Sequence, residues 1–113
     1  MTAPLSSRGA VTGLLDRYGL RPDRSFGQNF LVDAHVLSQI VTAADLQPGQ
    51  TVVEFGPGLG VLTRELAAAA GQVIAVELDR RMLPVLAETT GQLSNVTLIH
   101  GDALEFDWDQ VEP

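Results

Sequence analysis

Residues 52–61 read VVEFGPGLGV: an apolar run carrying one acid, Glu54, that breaks at Gly56, Pro57, Gly58 and Gly60. Glycines at this density permit positive φ and let backbone approach a neighbour that a Cβ would repel. The run therefore reads as a strand delivered into a tight turn. Beyond Gly60 the chain alternates between helix and strand. VLTRELAAAA has helical composition and stops at Gly71, QVIAVEL is a second strand, RRMLPVLAETT a second helix, and VTLIHGDAL a third strand running into a loop. Pro84 suits the first turn of its helix, where the missing N–H costs little. Strands alternating with helices of this length predict βαβ units and a parallel sheet. Right-handed crossovers then set the strand order 3-2-1, the first half of a doubly wound α/β sheet.

Two helices are expected ahead of the sheet. Ser6 and Ser7 are candidate caps for a helix whose apolar positions are Val11, Leu14, Leu15 and Tyr18, with Gly19 as its stop. LRPDRSFGQNFLVD reads as an extended connector, and Asp33 as the cap of a second helix with the stripe Val36, Leu37, Ile40, Val41 and Ala44. The expected organisation is a helical segment and connector over 1–50, then the βαβαβ unit over 51–113.

Composition narrows the classes. The chain has 113 residues, 45% of them apolar, enough for one small domain with a core. Without cysteine there is no disulfide and no thiolate metal site. No run of about 18 apolar residues is available for a membrane span, and the N-terminus lacks a signal-peptide core, which fits a cytoplasmic protein. The net charge of −7 argues against strong phosphate binding by these residues alone. What basic character exists is local, in Arg8, Arg17, Arg21 and Arg24. His35 and His100 lack ligand spacing and read as structural, so no metal is expected. Trp108, in the acidic tail, is expected to cover core surface.

Ligands of a doubly wound sheet sit beyond the carboxyl ends of its strands. Gly56, Gly58 and Gly60 end strand 1, Glu77 ends strand 2 and Asp102 comes just after strand 3. The glycine spacing departs from the dinucleotide fingerprint, because the third glycine comes one residue early and Val61 takes its place. A phosphate-cradling loop is excluded by the absence of GK[ST]. Glu77 is placed to accept both hydroxyls of a ribose, or is a solvated strand-end acid. Asp102 suits an exocyclic adenine amine, or caps a turn. Glu54 is an acid in an apolar strand, where an unpaired carboxylate is costly; it meets either a ligand amine or a loop N–H. Together these describe a site for an adenosine without phosphates. S-adenosylmethionine fits, since its sulfonium suits an acidic pocket.

SFGQNFLVD, succeeded by VVEFGPGLGVLT, VIAVELDRRM and IHGDAL, closely resembles the ribosomal RNA adenine dimethyltransferases, over roughly residues 8–107. Macrolide-resistance rRNA methyltransferases and the mitochondrial transcription factor B group are relatives. The glycine motif alone would indicate only a Rossmann-like class I methyltransferase; GQNFL at this distance ahead of it carries the finer resemblance. The pre-sheet helix resembles the bacterial small-subunit enzymes more than the resistance enzymes. The resemblance implies S-adenosylmethionine-dependent methylation of adenine N6 in small-subunit (16S) rRNA, with the 30S precursor as partner and a role in ribosome biogenesis. It implies cofactor contacts from Asn29, Leu31, Gly56, Glu77 and Asp102, with Gln28, Glu54 and Gly58 lining the same mouth. Phe26 and Phe30 read equally as core or lid packing.

The family places an Asn-Leu-Pro-Tyr motif, which grips the flipped target adenine, after a fourth strand. That motif lies beyond Pro113, so the 113 residues are expected to be the cofactor-binding part, inactive alone and without catalytic residues of their own. The alternative is a non-catalytic nucleotide- or S-adenosylmethionine-binding module, or a partner-dependent half-protein.

Overall fold

The computed structural model describes residues 8–20 and 34–111. Ser6, Ser7 and Asp33, and with them the expected helix caps, lie outside the described residues, as do Gln28, Asn29 and Leu31 of the connector.

The first helix, α1 (Arg8–Arg17), buries Val11, Leu14 and Leu15, the i, i+3, i+4 stripe of its sequence. It stops where expected. Gly19 adopts φ 66°, and the Leu20 N–H returns to the Leu15 carbonyl at 2.9 Å, closing the last turn. The second helix, α2 (Ala34–Ala44), obeys its stripe only in part. Leu37 is buried and Val41 half-buried, but Val36 is 45% and Ile40 42% exposed, and Ala44 is exposed too. This helix touches the body of the fold chiefly through α3 (Val61–Ala69), so one narrow line of side chains is covered rather than a full face.

Three strands make one parallel sheet: β1 (Thr51–Phe55), β2 (Gln72–Glu77) and β3 (Val96–His100), with β2 in the centre. The order is 3-2-1, as the right-handed crossover rule requires. Central position explains the burial of β2, whose residues 73–77 are all covered. The register sets Glu54 opposite Ala75, Phe55 opposite Val76, and Glu77 opposite His100.

Both crossover helices pack on the same face of the sheet. From α3, Leu66 and Ala67 lie against Val73, with Val52 and Val96 at the edge of the cluster. A single 3₁₀ turn (Arg80–Met82) opens the second crossover, capped by Asp79, whose carboxylate accepts the Arg81 N–H at 3.0 Å. It leads into α4 (Leu83–Thr90), with Pro84 in the first turn. Met82, Val85 and Leu86 of this crossover meet Val11, Leu14 and Leu15 of α1 in one core cluster. At its rim the Arg17 guanidinium forks onto Glu88 at 2.6 and 3.1 Å, and the Tyr18 hydroxyl donates to the same carboxylate at 2.8 Å. These exposed contacts orient α1 on α4 more than they stabilise it. The Tyr18 bond, with Arg17 beside it, holds the Glu88 carboxyl below its ordinary range.

Trp108 does not simply cover core. It is 59% exposed and stands edge-on to Phe55 and Phe106, with ring centroids 5.9 and 4.9 Å away. Phe55 and Phe106 meet in the same edge-on manner at 5.6 Å, so the three rings form a cluster at the tip of β1. Alternation along β1 turns Phe55 away from the face that carries Glu54.

Candidate functional site

The three loops at the carboxyl ends of the strands are tied into one surface by backbone bonds. The Gly56 N–H donates to the Val76 carbonyl and the Gly101 N–H to the Glu77 carbonyl, each at 2.9 Å. The glycine turn thus continues the β1–β2 ladder, and the turn after β3 continues β2–β3.

Within the turn, Gly56, Gly58 and Gly60 all have positive φ, at 75°, 60° and 85°. The outer two serve different ends. Gly60 is the N-cap of α3 and is buried; a Cβ there would lie 2.7 Å from Thr89 Oγ1 and 3.0 Å from Thr90 Cγ2. Its lack of a side chain lets α3 start against α4. Among the described residues a Cβ on Gly56 would meet nothing within 4 Å, so on their side this glycine is open at the end of the sheet. An open position that still needs positive φ suits a backbone that must admit a ligand.

Glu77 is buried, 5% exposed, and braces the turn. Its Oε1 accepts the Gly58 N–H at 3.1 Å and its Oε2 accepts the Asp79 N–H at 2.9 Å. A carboxylate oxygen accepts two hydrogen bonds, so among the described residues each retains one acceptor site that suits a hydroxyl. The sequence reading of a solvated strand-end acid is thereby excluded. Asp102 takes the turn-capping geometry: its Oδ1 accepts the Leu104 N–H at 2.9 Å. The turn-capping reading of Asp102 is thus the one observed, on a half-buried carboxylate whose other oxygen can still accept from an amine.

Within the chain, Glu54 meets a side chain of α3 rather than the loop N–H expected for it. The Thr63 hydroxyl, on α3 and fully buried, donates to Oε1 at 2.5 Å. Burial holds the Glu54 carboxyl above its ordinary range, the Thr63 bond pulls it back, and the nearby Glu77 charge pushes it up again.

Three side chains in or beside this site were not singled out from the sequence. Thr63 looked like an ordinary member of an Ala-rich helix. Leu78 and Leu104, next to the site acids, are 67% and 94% exposed. Large apolar groups flanking a polar pocket are what a planar base needs on its faces. Their signal was available, since each stands within two residues of a predicted site acid. His100 Nε2 meets the Leu78 carbonyl at 3.1 Å, a contact between the end of β3 and the loop after β2.

A parallel sheet with its crossover helices on one face, and a glycine turn, a strand-end acid and an Asx turn converging at its carboxyl edge, give the first half of the fold of the Rossmann-like methyltransferases. Solved structures place it there. The 23S rRNA methyltransferase ErmE superposes with a TM-score of 0.66 at 39% identity, covering 70% of this chain and 32% of that one. A dimethyladenosine transferase from Plasmodium falciparum gives 0.62 at 29% identity over 72% of this chain and 29% of that one. The chain belongs to the ribosomal RNA adenine dimethylase family, whose model matches residues 20–112. Among curated relatives, ribosomal RNA small subunit methyltransferase A of Deinococcus radiodurans is 51% identical and that of Pelotomaculum thermopropionicum 49%, each over 107 residues and 95% of this chain. The chain spans 36% of the length of each of these two relatives.

Proposed function

We propose that these residues hold S-adenosylmethionine for the methylation of adenine N6 in small-subunit rRNA. The observation that carries the reading is the pairing of an open, positive-φ Gly56 with a Glu77 carboxylate held under the turn by two backbone N–H groups. Gly56 lets the amino-acid end of the cofactor approach backbone. Glu77 keeps one acceptor site on each oxygen for the two ribose hydroxyls. Asp102 receives the adenine amine, and Leu78 and Leu104 cover the faces of the base. Asn29 and Leu31, with Gln28 beside them, close over the mouth from the connector; this role rests on the resemblance of GQNFL to the family. Bound there, the cofactor supplies an electrophilic sulfonium methyl. The acids of the site, Glu54 and Glu77, favour a cationic ligand over its neutral product.

On this reading residues 1–50 are a helical segment with a lid connector, and 51–113 the first half of the cofactor domain. The target-adenine side belongs to the family's Asn-Leu-Pro-Tyr motif, which these 113 residues do not contain. The 30S precursor is the partner of the whole protein, and the setting is cytoplasmic. The test is methyl transfer. Under-methylated small subunits are incubated with labelled S-adenosylmethionine and either this chain or a full-length relative. Incorporation into adenine by the relative and none by the chain fits the proposal. Equal incorporation by the chain overturns the division of labour, and labelling of other bases overturns the substrate.

A further inference from the structure

Glu54 is the only charged residue of β1, and its two oxygens stand differently. Oε1 takes the Thr63 hydroxyl at 2.5 Å, and among the described residues Oε2 receives no hydrogen bond. Thr63 is wholly enclosed, in the first turn of α3. The Thr63 hydroxyl, with no preceding turn of α3 to bond back to, crosses to the acid on β1. Neither helix formation nor packing requires a hydroxyl there, since a valine fills the same volume. The groups around the acid are these. Glu77 of β2 is the charge that faces it. Arg64, beside Thr63 on α3, sends its Nε–H to the Thr89 carbonyl at 2.8 Å, and His100 of β3 meets the Leu78 carbonyl. No cation among the described residues figures in the balance at Glu54. One hydroxyl therefore supports an acid that burial and a second acid both oppose.

We propose that Thr63 is a positioning residue for the cationic end of the ligand: its hydroxyl fixes the Glu54 carboxylate beside the glycine turn and leaves Oε2 to meet a positive charge. The inference rests on the reading of that turn as an S-adenosylmethionine site and assigns the selection of a charged ligand to a residue that need not touch it. A threonine on α3 thereby acts through β1.

The chain is titrated calorimetrically with S-adenosylmethionine and with 5′-methylthioadenosine, which shares the adenosine but carries neither sulfonium nor ammonium, from neutral to mildly acidic pH. Wild type prefers the charged ligand and loses that preference as Glu54 takes up a proton. Thr63→Val removes support for the ionised acid, so the loss starts at higher pH. At neutral pH affinity for S-adenosylmethionine falls about tenfold, the scale of one hydrogen bond to a charged group, while that for 5′-methylthioadenosine stays within about twofold. Thr63→Ser keeps the donor and restores both the preference and the pH profile. If Thr63→Val does not fold, Glu54→Gln carries the test: it retains an acceptor for Thr63 but must lose the preference and its pH dependence. Equal loss of both ligands in Thr63→Val with an unmoved pH profile would leave Thr63 a packing residue and overturn the proposal, as would an unchanged preference in Glu54→Gln. Failure of wild type to bind either ligand overturns the cofactor site as well, so the two failures are told apart.

Discussion

Replacing Gly60 by alanine separates what the glycine turn does for folding from what it does for a ligand. Two costs meet at Gly60. Its φ of 85° lies in the left-handed region, where a Cβ costs roughly 1–2 kcal/mol. The new methyl would also stand 2.7 Å from Thr89 Oγ1, 3.0 Å from Thr90 Cγ2 and 3.3 Å from a Leu86 methyl. All three belong to the buried face of α4, so relief requires that helix to move, an overpacking cost of about 1–3 kcal/mol. The sum, about 2–5 kcal/mol, is a large share of the total stability of a small domain. Gly56→Ala carries the first cost without the second, since among the described residues nothing lies within 4 Å of its Cβ. Urea unfolding monitored by circular dichroism should therefore find Gly60→Ala less stable than Gly56→Ala by about 1–3 kcal/mol. Among the described residues Thr89 Oγ1 is buried without a hydrogen-bond partner, so Thr89→Ala should return part of the loss in the Gly60→Ala background. Binding should show the reverse order. Gly56→Ala, folded, loses affinity for S-adenosylmethionine because its methyl enters the space reserved for ligand. Equal destabilisation by the two substitutions would refute the packing argument, and unchanged affinity in Gly56→Ala would refute the ligand argument.

Glu77→Ala should lower affinity for S-adenosylmethionine by about 1–3 kcal/mol in calorimetric titration and also loosen the turn, because it removes the acceptor for the Gly58 and Asp79 N–H groups. The Glu54 carboxyl is held above its ordinary range in the folded chain, so its contribution to stability is full below the unfolded pKa and is lost as pH rises through the folded one. Glu54→Gln should accordingly melt higher than wild type at neutral pH, with the difference closing on acidification. Trp108→Ala gives up two edge-on aromatic contacts on a half-exposed ring, a loss of about 1–2 kcal/mol by thermal unfolding, without affecting ligand affinity.

The alternation of strand and helix was legible because each element has its own period and the glycines mark where one gives way to the next. Glu77 was legible as a strand-tip acid, but its role as a brace was not. The N–H groups it accepts belong to Gly58 and Asp79, and backbone donors leave no trace in composition. The same limit hid the partner of Glu54. Thr63 lies nine residues away on another element, and its spacing means nothing until α3 is laid against β1. Trp108 failed for a different reason. A tail without period gives no face, and the ring found Phe55 and Phe106 rather than the core. The α2 stripe had the right period, but a period does not say how much of it a neighbour will cover, and Val36 and Ile40 remain exposed.

The central claim, that the carboxyl edge of this sheet is an S-adenosylmethionine site, is tested most directly by titrating the isotopically labelled chain with S-adenosylmethionine and tracking backbone amide shifts by NMR. The account predicts saturable shifts at Gly56, Gly58, Leu78 and Asp102, together with residues 26–32 of the connector. It is contradicted if no saturable shift occurs, or if the shifts fall in the cavity of about 370 Å³ between α1 and α4, lined by Gly9, Gly13, Arg17, Arg64 and Glu88, and spare the glycine turn.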